Sequence, residues 1–274
     1  MPDQLPDPII KVVKESGNVK IHTFISPEAF LSNATHIIES ENMLVIIDGQ
    51  FIVPYAIQFR AYADSLGKPI NRLYLSHGHP DHFFGIGAAF SDIAIYALPE
   101  TISFLEQYGE TIRASRAAVF GPFVAEKVVI PTHAVKAGIE FIDGVKYEMC
   151  VHADTETEFH LSFKLPELKV YIIQDLIYSH AHLYITKNSE HWIRSLKEIE
   201  HSDYELFLPG HGTPADKAEV AKNIEYLNTA KKAMDDGLTN DAFKDFMLKA
   251  YPERLGAAII DIYIPRLFGN ESEI

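Results

Sequence analysis

Three histidines and an aspartate fall within six positions in His77-Gly78-His79-Pro80-Asp81-His82. Imidazole nitrogen and carboxylate oxygen together suit zinc and other first-row divalent ions. A turn can aim His77 and His79 at one ion while Asp81 and His82 face another; a single ion would leave some of the four without a role. A lone histidine in a loop needs no function, but this density at the end of an apolar run does.

Other chemistry-bearing residues follow short apolar runs in the same way. His211 comes after Leu206-Phe207-Leu208 in the turn Pro209-Gly210-His211-Gly212, where flanking glycines let the backbone bring it close to an ion. Asp175 follows Val170-Tyr171-Ile172-Ile173, and Asp48 ends the run Leu44-Val45-Ile46-Ile47, where turn capping is its simplest role. An acidic stretch, Asp154-Thr155-Glu156-Thr157-Glu158, lies between His152 and His160. If residues 156–160 run extended, Glu156 and His160 stand about 13 Å apart, too far to share one ion. One of Glu156, His160 and His152 is then the direct ligand.

The spacing His-x-His-x-Asp-His at residues 77–82 resembles the signature of the metallo-β-lactamase superfamily. The resemblance implies His211 as the last ligand histidine, Asp175 as a carboxylate bridging two metals, and Asp48 as a support for the metal loop. Glycine is usual before the bridging aspartate, and Gln174 stands here instead. The place of a further histidine ligand, counted back from Leu165-Pro166-Glu167, is held by Glu156. Glutamate there, with His180-Ala181-His182 later on, is similar to the alkylsulfatase branch, whose members are much longer and use glutamate where Asp175 stands. Glu156 is accordingly preferred to His160 and His152, and His160 is expected to orient a ligand through a hydrogen bond. The metal set implied is His77, His79, Asp81, His82, Glu156, Asp175 and His211, holding two divalent ions. Zinc comes first, with manganese or iron admissible. Four positive charges against the carboxylates of Asp81, Glu156 and Asp175 leave about +1, one unit below a centre with histidine at 156, which favours harder ions.

The chemistry implied is hydrolysis of an ester-like bond (sulfate, carboxylic, thio-, lactone or phosphodiester) by metal-activated water, on a small-molecule substrate. Asp81 is expected to orient the attacking water. His180, His182 and Tyr184, just beyond the bridging position, are candidates for substrate contact or general acid chemistry. Two alternatives remain. One is an iron-dependent oxidoreductase, against which His79 stands where diiron oxygen reductases carry glutamate. The other is a non-catalytic metal-binding protein with a degraded site. The fold implied is mixed α/β, a four-layer αββα sandwich spanning 1–274 as one domain, with a helical C-terminal extension from about residue 217.

The whole chain fits these expectations. Its 274 residues can bury a substantial core, and 47% hydrophobic with 23% charged residues is ordinary globular usage. A net charge of −14 argues against a nucleic-acid surface. No apolar run approaches a membrane span, and Met1–Pro6 lacks the blocks of an export signal, so a cytoplasmic protein is expected. That also disfavours a β-lactamase proper. Cys150 is the only cysteine, which excludes an intramolecular disulfide.

Periodicity places strands at 19–25, 35–40, 44–47, 93–97, 145–151, 159–165, 170–173 and 206–208. It places helices at 51–66, after residue 82, at 99–108, 110–118, 190–199, 217–235, 240–250 and 255–267. Residues 121–142 show no sustained period and are expected to form a loop bordering a pocket. The apolar segment 255–264 either packs on its own domain or forms a homodimer interface.

Overall fold

The computed structural model describes residues 5–187 and 189–269; residues 1–4 of the segment read for an export signal lie outside them. Two β-sheets form the centre. The first has the order β1 (Ile9–Ser16), β2 (Val19–Ile25), β3 (Ala34–Glu39), β4 (Leu44–Ile47), β5 (Ile70–Tyr74), β6 (Ile95–Ala97) and β7 (His133–Ala134). It is antiparallel through β4 and parallel from β4 to β7. The second runs β12 (Leu206–His211), β11 (Val170–Tyr178), β10 (Phe159–Leu165), β9 (Val145–Ala153) and β8 (Gly138–Ile142). Only its β11–β12 pair is parallel.

Strand side chains alternate between faces, and here both faces are covered. In β4, Val45 and Ile47 join Ile38, Tyr74, Phe163, Val170 and Ile172 in the layer between the sheets. Their neighbours Leu44 and Ile46 point the other way, onto Tyr55 and Phe59 of α1 (Val53–Ser65) and Phe83 and Ile86 of α2 (Pro80–Ala89). On the far side, Tyr171 and Ile173 of β11 pack against α5 (Ser189–Glu200) through Trp192 and Leu196 and against α6 (Lys217–Asp235) through Val220 and Tyr226. Helix, sheet, sheet, helix is therefore the layer order.

Local chemistry sets the helix starts. Pro54 and Pro80 occupy first-turn positions of α1 and α2, where the missing N–H costs nothing. Asp216 caps α6 by accepting from the backbone N–H groups of Ala218 and Glu219. Beyond α6, α7 (Asn240–Ala250) and α8 (Ala258–Phe268) close over the same core, with Ile259, Ile260 and Tyr263 buried in it. Leu255 and Ile262 stay exposed.

The structure departs from periodicity in three main places, one of them β11, which runs past the expected 170–173 to Tyr178 and takes Asp175 into the strand. β1 was not anticipated; it is an edge strand with most residues exposed, joined to β2 through Gly17-Asn18. Residues 121–142 are a loop only in part. They hold β7 and β8, and Val124 together with Val128–Ile130 packs into the core under α2. A Cβ on Gly87 of α2 would lie 2.2 Å from the Lys127 carbonyl, which shows how closely the segment lies on that helix.

Candidate metal centre

The turn after β5 carries His77 and His79, and the first turn of α2 carries Asp81 and His82. Asp175 lies within β11 and His211 ends β12. Glu156 lies on the β9–β10 connection, which is bent, not extended. Asp154 adopts a left-handed φ of 51°, its N–H donates to the Glu158 carbonyl at 3.0 Å, and that of Thr155 donates to Thr157 at 3.1 Å. The bend puts Glu156 against the histidine turn, with Oε1 3.0 Å from His79 Nδ1.

Two groups of donor atoms result. Those of His77, His79, Glu156 and Asp175 lie within 4.8 Å of one another, as do those of Asp81, His82, Asp175 and His211. Asp175 belongs to both: Oδ1 is 3.2 Å from His82 Nε2, and Oδ2 is 3.1 Å from His211 Nε2 and 3.8 Å from His77 Nε2. Among the described residues, His77 Nε2, His82 Nε2, Glu156 Oε2 and Asp175 Oδ1 are buried without a hydrogen bond. Each such atom costs about 1–3 kcal/mol if left unsatisfied. A pair of divalent cations would satisfy all of them, so the donor set fits a dinuclear metal centre.

The outer ring nitrogens are committed elsewhere, which turns the inner ones toward the centre. His82 Nδ1 donates to Asp48 Oδ2 at 2.8 Å, and His211 Nδ1 to the Leu31 carbonyl at 2.8 Å. Ser76 Oγ donates to Asp48 at 2.7 Å and so accepts from His77 Nδ1 at 2.9 Å. Asp48 also accepts from the Ser76 N–H and from the Gln174 amide. Gln174 adopts a φ of 45°, a conformation that suits glycine, and its side chain secures the aspartate under the metal loop.

Without ions the cluster is a dense set of opposed charges. Burial works against a charged His82, yet Asp175, Asp81 and Asp48 outweigh it and hold its pKa well above the usual histidine range. The same balance, led by burial and reversed by Asp175, pushes His211 up to about 10. Burial and the neighbouring histidines keep His77 well below its usual value. Asp175 lies well below the carboxylate range, since His82 and His211 overcome its burial.

Of the residues expected at the site, His77, His79, Asp81, His82, Glu156, Asp175 and His211 converge. His180 and His182 do not line the cavity beside the cluster, which corrects the expectation that they face substrate. His180 has a left-handed φ of 58° and turns the chain away, its N–H donating to Glu219 at 3.2 Å. His182 is buried against α6 with Nδ1 2.9 Å from the Tyr226 hydroxyl. His152 is also elsewhere, with Nε2 2.9 Å from Ser162 Oγ and 3.1 Å from the Tyr171 hydroxyl. His160 stacks on His77 with ring centroids 4.9 Å apart and belongs to neither group. It forms no hydrogen bond through either ring nitrogen among the described residues, so it orients no ligand that way.

Tyr178 was not anticipated. Its hydroxyl donates to Asp175 Oδ2 at 2.9 Å and lies 3.3 Å from Glu156 Oε1, while its ring stacks on His211 with centroids 4.7 Å apart. Burial and the two carboxylates keep its pKa well above 10, so it remains a donor. Regular alternation would set residues 175 and 178 on opposite faces; the register of β11 against β12 breaks between Gln174 and Tyr178 and brings both inward.

The sequence profile of the metallo-beta-lactamase superfamily matches residues 30–211, two thirds of the chain, from just before β3 to the histidine that ends β12. The chain belongs to this superfamily. No curated protein matches it in sequence. Among solved structures, a metallo-beta-lactamase from Pontibacter korlensis superposes with a TM-score of 0.64 at 15% identity, covering 80% of this chain and 99% of its own. DIM-1 metallo-beta-lactamase gives 0.61 at 17% identity over 83% of this chain and all of its own. The metallo-beta-lactamase FIM-1 from Pseudomonas aeruginosa, in a mono-zinc form, gives 0.60 at 16% over 82% and 97%. At these identities the likeness is one of fold. The superfamily scaffold in this chain carries glutamate at 156 and glutamine at 174.

Proposed function

We propose that the protein is a metal-dependent hydrolase of an ester-like bond, working with two divalent ions. The observation that carries this reading is Asp175, a single buried carboxylate shared by two donor groups whose other members leave buried atoms unsatisfied. In this reading His77, His79 and Glu156 would hold one ion and Asp81, His82 and His211 the other, with Asp175 within reach of both. Such ions would supply a water of near-neutral pKa and stabilisation for negative charge developing on a substrate. The chain's own part is to fix geometry. Asp48 and Leu31 orient His82 and His211, and the Tyr178 hydroxyl pins Asp175.

A cavity of about 320 Å³ beside His79 and Glu156 gives a substrate access. Zinc is the first expectation; the third carboxylate, Glu156, makes manganese or iron admissible. A non-catalytic protein with a degraded site has less support, because the substituted position still delivers a carboxylate oxygen 3.0 Å from His79.

The test is to strip the protein with chelator, reload it with zinc, manganese or iron(II), and assay carboxylic, thio-, lactone, sulfate and phosphodiester esters beside a His79→Ala control. Two ions per chain and hydrolysis that vanishes on chelation and returns on reloading are expected. Turnover unaffected by thorough chelation would refute the reading. The metal content of protein from unsupplemented medium identifies the resident ion.

A further inference from the structure

The cavity beside the cluster has walls with an excess of negative charge. Glu100 at the start of α3 (Pro99–Phe104) and Asp154 and Glu158 on the β9–β10 bend line it, all three exposed. None of them forms an ion pair among the described residues. Lys187 is the one lysine in the lining, and no arginine is present. Between these charges stand the rings of Phe104, Phe159 and Tyr184. Tyr184 is held in place on both sides, accepting from Arg266 at 2.6 Å and packing on His79 with centroids 5.2 Å apart.

A second, independent feature points to a ligand. Thr155 also lines the cavity, is 1% exposed, and has a buried hydroxyl without a hydrogen-bond partner among the described residues. A buried hydroxyl left unpaired is costly.

We infer that the cavity selects substrates bearing a positive charge, an ammonium or quaternary ammonium group carried beside the ester-like bond. The inference rests on the hydrolase reading and narrows its substrate class. Two effects act together. Unpaired carboxylates around a concave site raise the local concentration of cations and depress that of anions. Aromatic faces attract ammonium groups in addition to burying their carbon atoms. Lys187 offsets one of three exposed carboxylates. The centre itself adds little, since two divalent ions against Asp81, Glu156 and Asp175 come to about +1. Sulfate and phosphate esters, which bring negative charge, are the disfavoured members of the ester-like set.

The experiment uses metal-loaded protein and three phenyl acetates with a 4-trimethylammoniomethyl, 4-neopentyl or 4-sulfomethyl group. The first two are near-isosteric, and the methylene insulates the reacting ester from the charge. Rates are normalised to hydroxide-catalysed hydrolysis. The cationic ester is expected to exceed the anionic one in kcat/KM by about 10-fold or more at low salt, with the ratio shrinking as salt is raised. In Glu100→Gln/Glu158→Gln the ratio is expected to move several-fold toward unity. Calorimetric binding of benzyltrimethylammonium against benzylsulfonate reads the same preference without turnover. Equal or reversed preference in both measurements overturns the inference and leaves the hydrolase reading intact. Selective binding of the cation upholds the cavity's selectivity even if none of the three acetates is cleaved, and the hydrolase reading is removed only if the wider ester panel is not cleaved either.

Discussion

Gly210→Ala is the smallest change that tests the shared carboxylate. A Cβ at position 210 would stand 1.8 Å from Asp175 Oδ1, 3.1 Å from its Cγ and 3.0 Å from His82 Cε1. Real Cβ contacts essentially never fall below 3.0 Å, so the carboxylate oxygen has to retreat by at least 1.2 Å. Metal–ligand distances tolerate only about 0.2 Å, so a shift of that size withdraws Asp175 from both donor groups at once. The backbone itself takes alanine without strain, because Gly210 has no left-handed φ. Overpacking of this kind costs about 1–3 kcal/mol, leaving a folded protein. Losing an outer-shell partner alone weakens metal binding about 10–100-fold, so displacing a direct ligand is expected to exceed about 100-fold for at least one ion. The assay is elemental analysis after dialysis, with dissociation constants from competition against a chromophoric chelator. Gly212→Ala is the contrast: its φ is +91° and its Cβ would meet the Ser179 carbonyl at 1.9 Å, so it should lower stability with or without metal. A Gly210→Ala protein that keeps two ions at parental affinity would show that Asp175 does not bridge.

Protons held on His82 and on His211, whose pKa is about 10, have to leave when ions enter. Metal binding at pH 7 is therefore expected to release protons and to weaken as pH falls, read by calorimetry in buffers of different ionisation enthalpy; zero release refutes this. Glu156→Gln removes a charge from one donor group and leaves Asp81, His82, Asp175 and His211 intact. One tight ion should remain while the other weakens by more than about 100-fold in a chelator titration, and two tight ions would count against the assignment. Gln174 combines a left-handed φ of 45° with a hydrogen bond to Asp48. Gln174→Ala keeps the strain and loses the bond, whereas Gln174→Gly loses both, so the alanine variant should be less stable than the glycine variant by about 1–2 kcal/mol in urea unfolding. Equal stabilities would remove the backbone from the explanation.

The positions of His77, Asp175 and His211 were legible because each follows an apolar run, and a polar residue at the end of such a run has few reasons to be there; the Glu156 bend has no such run before it. Helix bounds at 217–235 and 240–250 were legible for a similar reason, with Asp216 marking one start. β1 escaped because an exposed edge strand has no buried face to impose a pattern, although Gly17-Asn18 between two apolar stretches is a hairpin signal. Residues 124–130 escaped for the opposite reason: they are buried without being periodic, filling a gap over α2. Proximity in sequence misled at His180 and His182. β11 runs on to Tyr178 before the chain turns at His180, so residues a few places beyond Asp175 end against α6 and Tyr178 takes the inward position.

Strained backbone is concentrated where the two sheets meet at this centre. Asp48 (φ 64°), Gln50 (φ 73°) and Gln174 (φ 45°) are left-handed without being glycine, as are Leu31 and Ser32 in the loop beneath His211. Such a conformation costs roughly 1–2 kcal/mol in a non-glycine residue, so it persists only where its surroundings fix it. They do so here. Asp48 gathers Ser76, His82 and Gln174 from three elements, Gln50 donates to the Asn33 carbonyl and Thr35 at 3.1 Å each, and Leu31 accepts from His211. At Asp48 and Leu31 the bonds that hold the strained residues also orient His82 and His211, and they are made by protein groups alone. The donor groups are shaped by protein contacts alone, so on the proposed hydrolase reading chelation should abolish activity while leaving the fold in place.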